Sequence, residues 1–286
     1  MRLILSRKGF DSQYGGCASP IFPGGLLASL PIPSGHAEPT FASLNVGPYN
    51  LGEVVQQLTQ GRKTPVEAHS GVHLDPDIDE TLTVREPHWR GAFGQVASAQ
   101  SHLAGQGVEP GDVFLFFGWF RHVERSSGIW RYVADAPNLH VLFDWLQIGE
   151  IYSLRTPAHK RTLLEQHTWL RAHPHTDENW DPPNNTVYVA RETLRLEVRD
   201  ETHCGFGIFR RFDPALQLTW PGHSRCHWRL PDWFMPVSGK PALSYHPGQQ
   251  AWKVRDGAVQ LRSVGRGQEF VLDCQHYPQA IDWCRS

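Results

Sequence analysis

Gly111-Asp112-Val113-Phe114-Leu115-Phe116-Phe117-Gly118-Trp119-Phe120-Arg121-His122-Val123-Glu124 is the stretch on which the fold turns. Its density of aromatic and β-branched residues suits a buried strand pair better than a helix. A second segment of the same kind follows over residues 140–152 and contains Phe143-Asp144-Trp145-Leu146-Gln147-Ile148-Gly149. Together the two predict a small, strongly bent sheet or barrel.

Working outward, residues 2–6 read as a first strand that delivers Arg7-Lys8-Gly9-Phe10-Asp11-Ser12 into a loop, with Gly15-Gly16 supplying the backbone freedom to turn. Residues 50–61 carry Leu51, Val54, Val55 and Leu58 at helical spacing, with Asn50 placed to cap them. Further helices are expected over 93–105 and 157–173, and an extended stretch over 72–78. Short strands separated by Pro and Gly turns are expected late in the chain, among them 259–262 and 269–273. No βαβ alternation is evident. The expected architecture is therefore α+β, a twisted mainly antiparallel sheet or partial β-barrel flanked by a few helices, formed as one unit over residues 1–286.

With 286 residues the chain can bury a substantial core. Its net charge of -2 argues against a protein that coats nucleic acid by bulk electrostatics. The charge is uneven, however: residues 1–150 hold 10 Lys+Arg against 15 Asp+Glu, and residues 151–286 hold 17 against 14. A phosphate-facing surface should be sought in the second half. The five cysteines are scattered, with no Cys-x-x-Cys pair, which indicates reduced thiols and neither a disulfide framework nor a cysteine zinc site. No apolar run approaches the roughly 20 residues of a membrane span, and the expected location is the cytoplasm.

Four groups of residues have the chemistry of a site. Ser6, Arg7, Lys8, Asp11 and Ser12 combine two cations, a carboxylate and hydroxyls, a set suited to holding a phosphate and moving a proton. The plain alternative is an ion pair that closes the loop. His73, Asp75 and Asp77 stand at i, i+2 and i+4, which in a strand point to one face; imidazole and carboxylates there suit polar catalysis or a divalent metal, or else form an acidic turn. Asp144 and Trp145, with neighbouring aromatics, could stack and read a base, although most aromatic strands are core. Arg266, Gln268 and Glu269 could supply a phosphate anchor and a general acid or base, or merely a turn. The sixteen histidines show no metal spacing of the His-Glu-x-x-His kind, and His173 and His175 are expected at the surface.

Several phrases carry a resemblance. They are Ile4-Leu5-Ser6-Arg7-Lys8-Gly9-Phe10-Asp11-Ser12, Ser19-Pro20-Ile21-Phe22-Pro23, Leu30-Pro31-Ile32-Pro33 and His73-Leu74-Asp75-Pro76-Asp77 in the first third. Gly111-Asp112 with its aromatic strand, Gly205-Phe206-Gly207-Ile208-Phe209, Trp228-Arg229-Leu230-Pro231-Asp232-Trp233-Phe234 and Gly267-Gln268-Glu269-Phe270-Val271 continue it. In order and over almost the whole chain, they resemble the third nucleotide modification associated domain family, a bacterial and phage group linked to DNA base modification. The resemblance implies business with a nucleotide or nucleic acid, DNA ahead of RNA, and other base-modification proteins as possible partners. It names no cofactor. Two expectations follow: an enzyme built on the amino-terminal loop, the His73/Asp75/Asp77 face and Glu269, or a non-catalytic module that binds a modified base at Trp145 and Asp144.

Overall fold

The computed structural model describes residues 1–35, 39–196, 199–237, 240, 242–265 and 269–285. Its centre is the antiparallel pair Val113–Ser126 and Leu139–Ser153, with Phe120 opposite Leu139 and Val113 opposite Gln147. Because strand side chains alternate, Phe114, Phe116 and Phe120 enter a core with Phe93, Leu146, Ile148 and Tyr188 on one side. Val113, Leu115 and Phe117 enter another with Trp228, Leu243 and Phe270. Burial on both faces explains why this strand is an unbroken apolar run.

The first strand, Arg2–Arg7, runs parallel to residues 113–117 and is flanked on its far side by the antiparallel strand Glu269–Asp273. On the other side of the central pair come Thr186–Ala190 and then the edge strand Ala92–Gln95, both antiparallel. With three short strands attached, this makes a nine-stranded mixed sheet in an α+β protein. A three-stranded sheet of His227–Leu230, Ala258–Arg262 and Trp252–Arg255 supplies Trp228, Leu230, Leu261 and Trp252 to the core beneath Phe117.

The sheet curls without closing, and among the described residues no backbone ladder joins its two edge strands. Gly149 permits the bend, since a Cβ there would lie 3.0 Å from the backbone of Arg191 where the strand shifts register. The curl carries the strand of residues 92–95 back across the first strand. Phe93 then packs on Phe114 and Phe116, and Gln95 reaches Glu269. The seam between the edges is thus joined by side chains: Glu269 Oε1 accepts from Lys8 Nζ at 2.9 Å and from Gln95 Nε2 at 2.6 Å. The helix Ala97–Gly105 packs beside this seam, with Leu103 buried under it and His102 within 3.0 Å of Ser244.

Several local expectations are met or revised. The helix Leu51–Thr59 forms with Asn50 accepting from the Glu53 N–H. Residues 92–95 are a strand where a helix start was expected, because Phe93 and Gly94 pair with Tyr188 and Val187 in the sheet. The third helix is shorter than expected and spans Pro157–Gln166; tight turns follow over Thr168–Ala172 and Pro174–Thr176, the chain leaving helical geometry at His173 before Pro174. The extended stretch ends early: only Gly71–His73 is strand, paired with Ile32–Ser34. No helix is long and apolar enough to cross a membrane, among the described residues.

Glu269 and Lys8 are 1% and 9% exposed at their side chains, so each depends on the other to offset desolvation. Lys8→Met should cost about 3–5 kcal/mol in urea unfolding, because it strands a buried carboxylate. The double variant Lys8→Met/Glu269→Leu should lose markedly less than the sum of the two single changes. Strict additivity would show that the seam pair is energetically idle.

Candidate functional site

The seam opens on one side into a cleft of about 590 Å³. Its lining comes from distant parts of the chain: Arg7 at the end of the first strand with Lys8 and Asp11 just after it, His73 at the end of the strand Gly71–His73 with Asp75 just after it, Gln95 at the end of the edge strand, and His175 and Trp180 from the turns before residue 186. A neighbouring cleft of about 760 Å³ shares Arg7, Asp11 and Gln95 and adds Ser12, Trp119, Arg225 and Glu269.

Asp75 is the centre of the first wall. Its Oδ1 accepts the backbone N–H of Gly94 at 2.7 Å and lies 3.5 Å from His173 Nε2. Its Oδ2 lies 3.6 Å from His175 Nε2 and 4.0 Å from His73 Nε2. Burial alone would raise the Asp75 carboxyl, but the facing imidazoles of His173 and His175 outweigh it and hold the group well below the usual carboxylate range. His175 is fixed from behind: its Nδ1 lies 2.8 Å from Asn185 Oδ1, and Asn185 Nδ2 donates to the His175 carbonyl at 2.8 Å. His73, Asp75 and His175 offer three ligand atoms within 4.8 Å of one another, a set able to hold a metal ion.

The second wall is the seam itself. Glu269 Oε1 takes both Lys8 and Gln95, while Oε2 and the adjacent Ser6 Oγ are buried with no hydrogen-bond partner among the described residues. Lys8 Nζ also sits 4.4 Å from the centre of the Phe93 ring. Arg7 donates to the Gly265 carbonyl at 3.0 Å, and burial pulls its guanidinium below the usual value against the opposing charge of Asp11. Arg225 lies 4.1 Å over Trp119 and donates to Ser12 Oγ at 3.0 Å. Asp11 Oδ1 accepts from the backbone of Gln13 and Tyr14, which shapes the loop at the cleft edge. His140, also on this lining, is pushed down to about 3 by burial, with the charges of Arg225 and Arg7 adding to the effect.

The structure therefore brings together Ser6, Arg7, Lys8, Asp11, Ser12, His73, Asp75 and Glu269. Asp77 is not among them. Beyond His73 the strand ends, and Asp77 exchanges two backbone hydrogen bonds with Ala92 while its carboxylate takes a bidentate pair from Arg85 and a contact from Trp89 Nε1. Asp144 and Trp145 are consecutive in one strand, opposite Phe116 and Leu115, and so turn to opposite faces of the sheet. Asp144 lines a small internal cavity beside Pro76 and Asp79, where burial and the charge of Asp79 raise it well above the ordinary range. Trp145 packs on Phe209 and covers Gly207, whose missing Cβ leaves room for the indole. It offers no slot to the cleft. Arg266 and Gln268 lie outside the described residues.

His173 and His175 are buried, at 3% and 2% exposure, contrary to the surface position expected of them. The turns that follow the third helix fold inward because Trp169 and Leu170 join a core with Leu154 and Val187. Gln95, Trp180, Asn185 and Arg225 were also not singled out by sequence reasoning. The available signal was the i, i+2 pair in His173-Pro174-His175 with Asn185 close behind. A Cβ on Gly94 would lie 2.2 Å from the His175 ring, which Asn185 holds in place. Gly94→Ala should lower stability by about 1–3 kcal/mol and displace that ring. A melting temperature equal to that of the parent chain would contradict the packing.

No curated protein matches this chain, and no solved structure does. The family model for nucleotide modification associated domain 3 matches residues 2–273, almost the full length, and so takes in both walls of the cleft. The chain belongs to the nucleotide modification associated domain 3 family.

Proposed function

We propose that this protein is an enzyme that modifies a nucleotide or a nucleic-acid base, DNA being favoured over RNA, in the cleft at the sheet seam. The observation that carries the reading is that the cleft of Asp75, His73, His175, Arg7 and Lys8 adjoins the cleft of Arg7 and Glu269, with Lys8 and Glu269, 261 residues apart, joined by a hydrogen bond between them. Structural ion pairs do not by themselves need an open cleft. Membership of the nucleotide modification associated domain 3 family supports that substrate class.

Each part then has a role. Arg7 and Arg225 are the fixed cations at the rim and suit phosphate oxygens, which agrees with the more basic second half of the chain. The indoles of Trp180 and Trp119 offer faces on which a base can stack, worth about 1–3 kcal/mol per base. Glu269, with Oε2 unpartnered and Lys8 on Oε1, serves as general acid or base, a contribution of about 10²–10⁴-fold. Asp75 orients the histidine wall. The substrate class fits a cytoplasmic enzyme acting beside other base-modification proteins. A purely binding module centred on Trp145 and Asp144 finds no support, since Trp145 packs into the core.

Mass spectrometry of nucleosides from cells with and without the protein tests the proposal. A modified or depleted nucleoside should appear with the native chain, vanish with Asp75→Ala and fall at least about 100-fold with Glu269→Gln. Identical nucleoside profiles in the presence and absence of the folded protein would refute the enzymatic reading.

A further inference from the structure

We propose that His73, Asp75 and His175 bind one divalent first-row transition-metal ion through His73 Nε2, Asp75 Oδ2 and His175 Nε2. The inference deepens the reading of the cleft as a reaction centre and rests on that reading for the ion's role. The site itself stands on geometry.

The separations are the first argument. The two imidazole nitrogens lie 3.6 and 4.0 Å from the same carboxylate oxygen. A purely structural His–Asp network would draw these contacts in to the 2.7–3.2 Å typical of a hydrogen bond. Ligand atoms that each sit about 2.0–2.2 Å from a shared ion are instead spaced at about 3–4 Å. The two carboxylate–imidazole separations match the second pattern, and all three donors lie within 4.8 Å of one another.

The surroundings are the second argument. A metal-binding imidazole characteristically gives its other ring N–H to an oxygen that fixes the tautomer. His175 does so with Asn185 Oδ1 at 2.8 Å, which turns Nε2 toward Asp75. Asp75 is held the same way, its Oδ1 occupied by the Gly94 N–H at 2.7 Å and its Oδ2 turned to the two histidines. His173 supports the carboxylate from behind. Its Nδ1 accepts the His175 backbone N–H at 3.3 Å, so its proton rests on Nε2, and that nitrogen is buried, 3.5 Å from Asp75 Oδ1, with no hydrogen bond among the described residues.

The donor set and the exposure choose the ion. Two imidazole nitrogens and one carboxylate oxygen suit manganese, iron, cobalt, nickel or zinc; magnesium and calcium prefer oxygen alone. Three protein ligands leave coordination positions open, and the same residues line the cleft with Lys8, Arg7 and Trp180, so those positions face the substrate space. A net charge of +1 on the ion and its ligands adds to the cations at the rim in attracting a phosphate or another anionic group.

Equilibrium dialysis of the full chain against Co²⁺, with metal quantified per chain, tests the site. The native protein should hold one ion. His73→Gln, at a position partly open to the cleft and so least disturbing to folding, should weaken binding at least about 100-fold with an unchanged circular dichroism spectrum. Asn185→Ala should weaken it about 10–100-fold through the orientation of His175. Less than stoichiometric Co²⁺ on the native chain, or His73→Gln binding as tightly as the parent, would overturn the proposal. The two readings separate cleanly: an ion bound without any nucleoside change removes the enzymatic function and keeps the site, while a nucleoside change that persists in metal-free protein and needs Glu269 removes the ion and keeps the cleft.

Discussion

The structure hinges on one buried contact, the Glu269 carboxylate held between Lys8 Nζ and Gln95 Nε2. These groups come from strands at or near opposite ends of the sheet order, and they meet only because the sheet curls. Hydrophobic packing drives the curl: Phe93 at one edge fills the concave side against Phe114, Phe116 and Tyr188. Packing brings the edges close, but it cannot satisfy polar ends at the seam. Charge and hydrogen bonding do that, and they specify which residues face one another.

A seam without a backbone ladder has a consequence for chemistry. Closed barrels fill their centre with side chains, and flat sheets scatter their strand ends. Here the ends of the strands Arg2–Arg7, Gly71–His73 and Ala92–Gln95 converge beside an opening with the turns before residue 186, and together they supply Arg7, Asp75 and His175. Polar groups are thereby mounted on a rigid apolar body. Their separations are set by the core, as precise catalysis or metal binding requires.

The central strands were legible because their residue types admit few alternatives, and residues 50–61 were legible from their spacing and cap. The amino-terminal loop, His73, Asp75 and Glu269 could be picked out by chemistry. What sequence could not convey was where regularity stops. Period two extrapolated past His73 put Asp77 on the wrong face, whereas the chain in fact leaves the strand there and pairs with Ala92. Asp144 and Trp145 were paired for their chemistry, whereas strand alternation sends these consecutive side chains to opposite faces. His173 and His175 lie in short turns whose burial depends on Trp169 and Leu170 finding a core contributed by other segments. Such placement is tertiary information, absent from local pattern.

On this account a nucleotide is received where the Asp75 cleft and the Glu269 cleft adjoin at Arg7, Asp11 and Gln95. A crystal structure of the native chain grown with a nucleoside monophosphate tests it most directly. Phosphate density beside Arg7 or Arg225, with the base against Trp180 or Trp119 and its edge toward Asp75 or Glu269, is the predicted result. A nucleotide seated on another face, with this cleft holding only solvent, would contradict it.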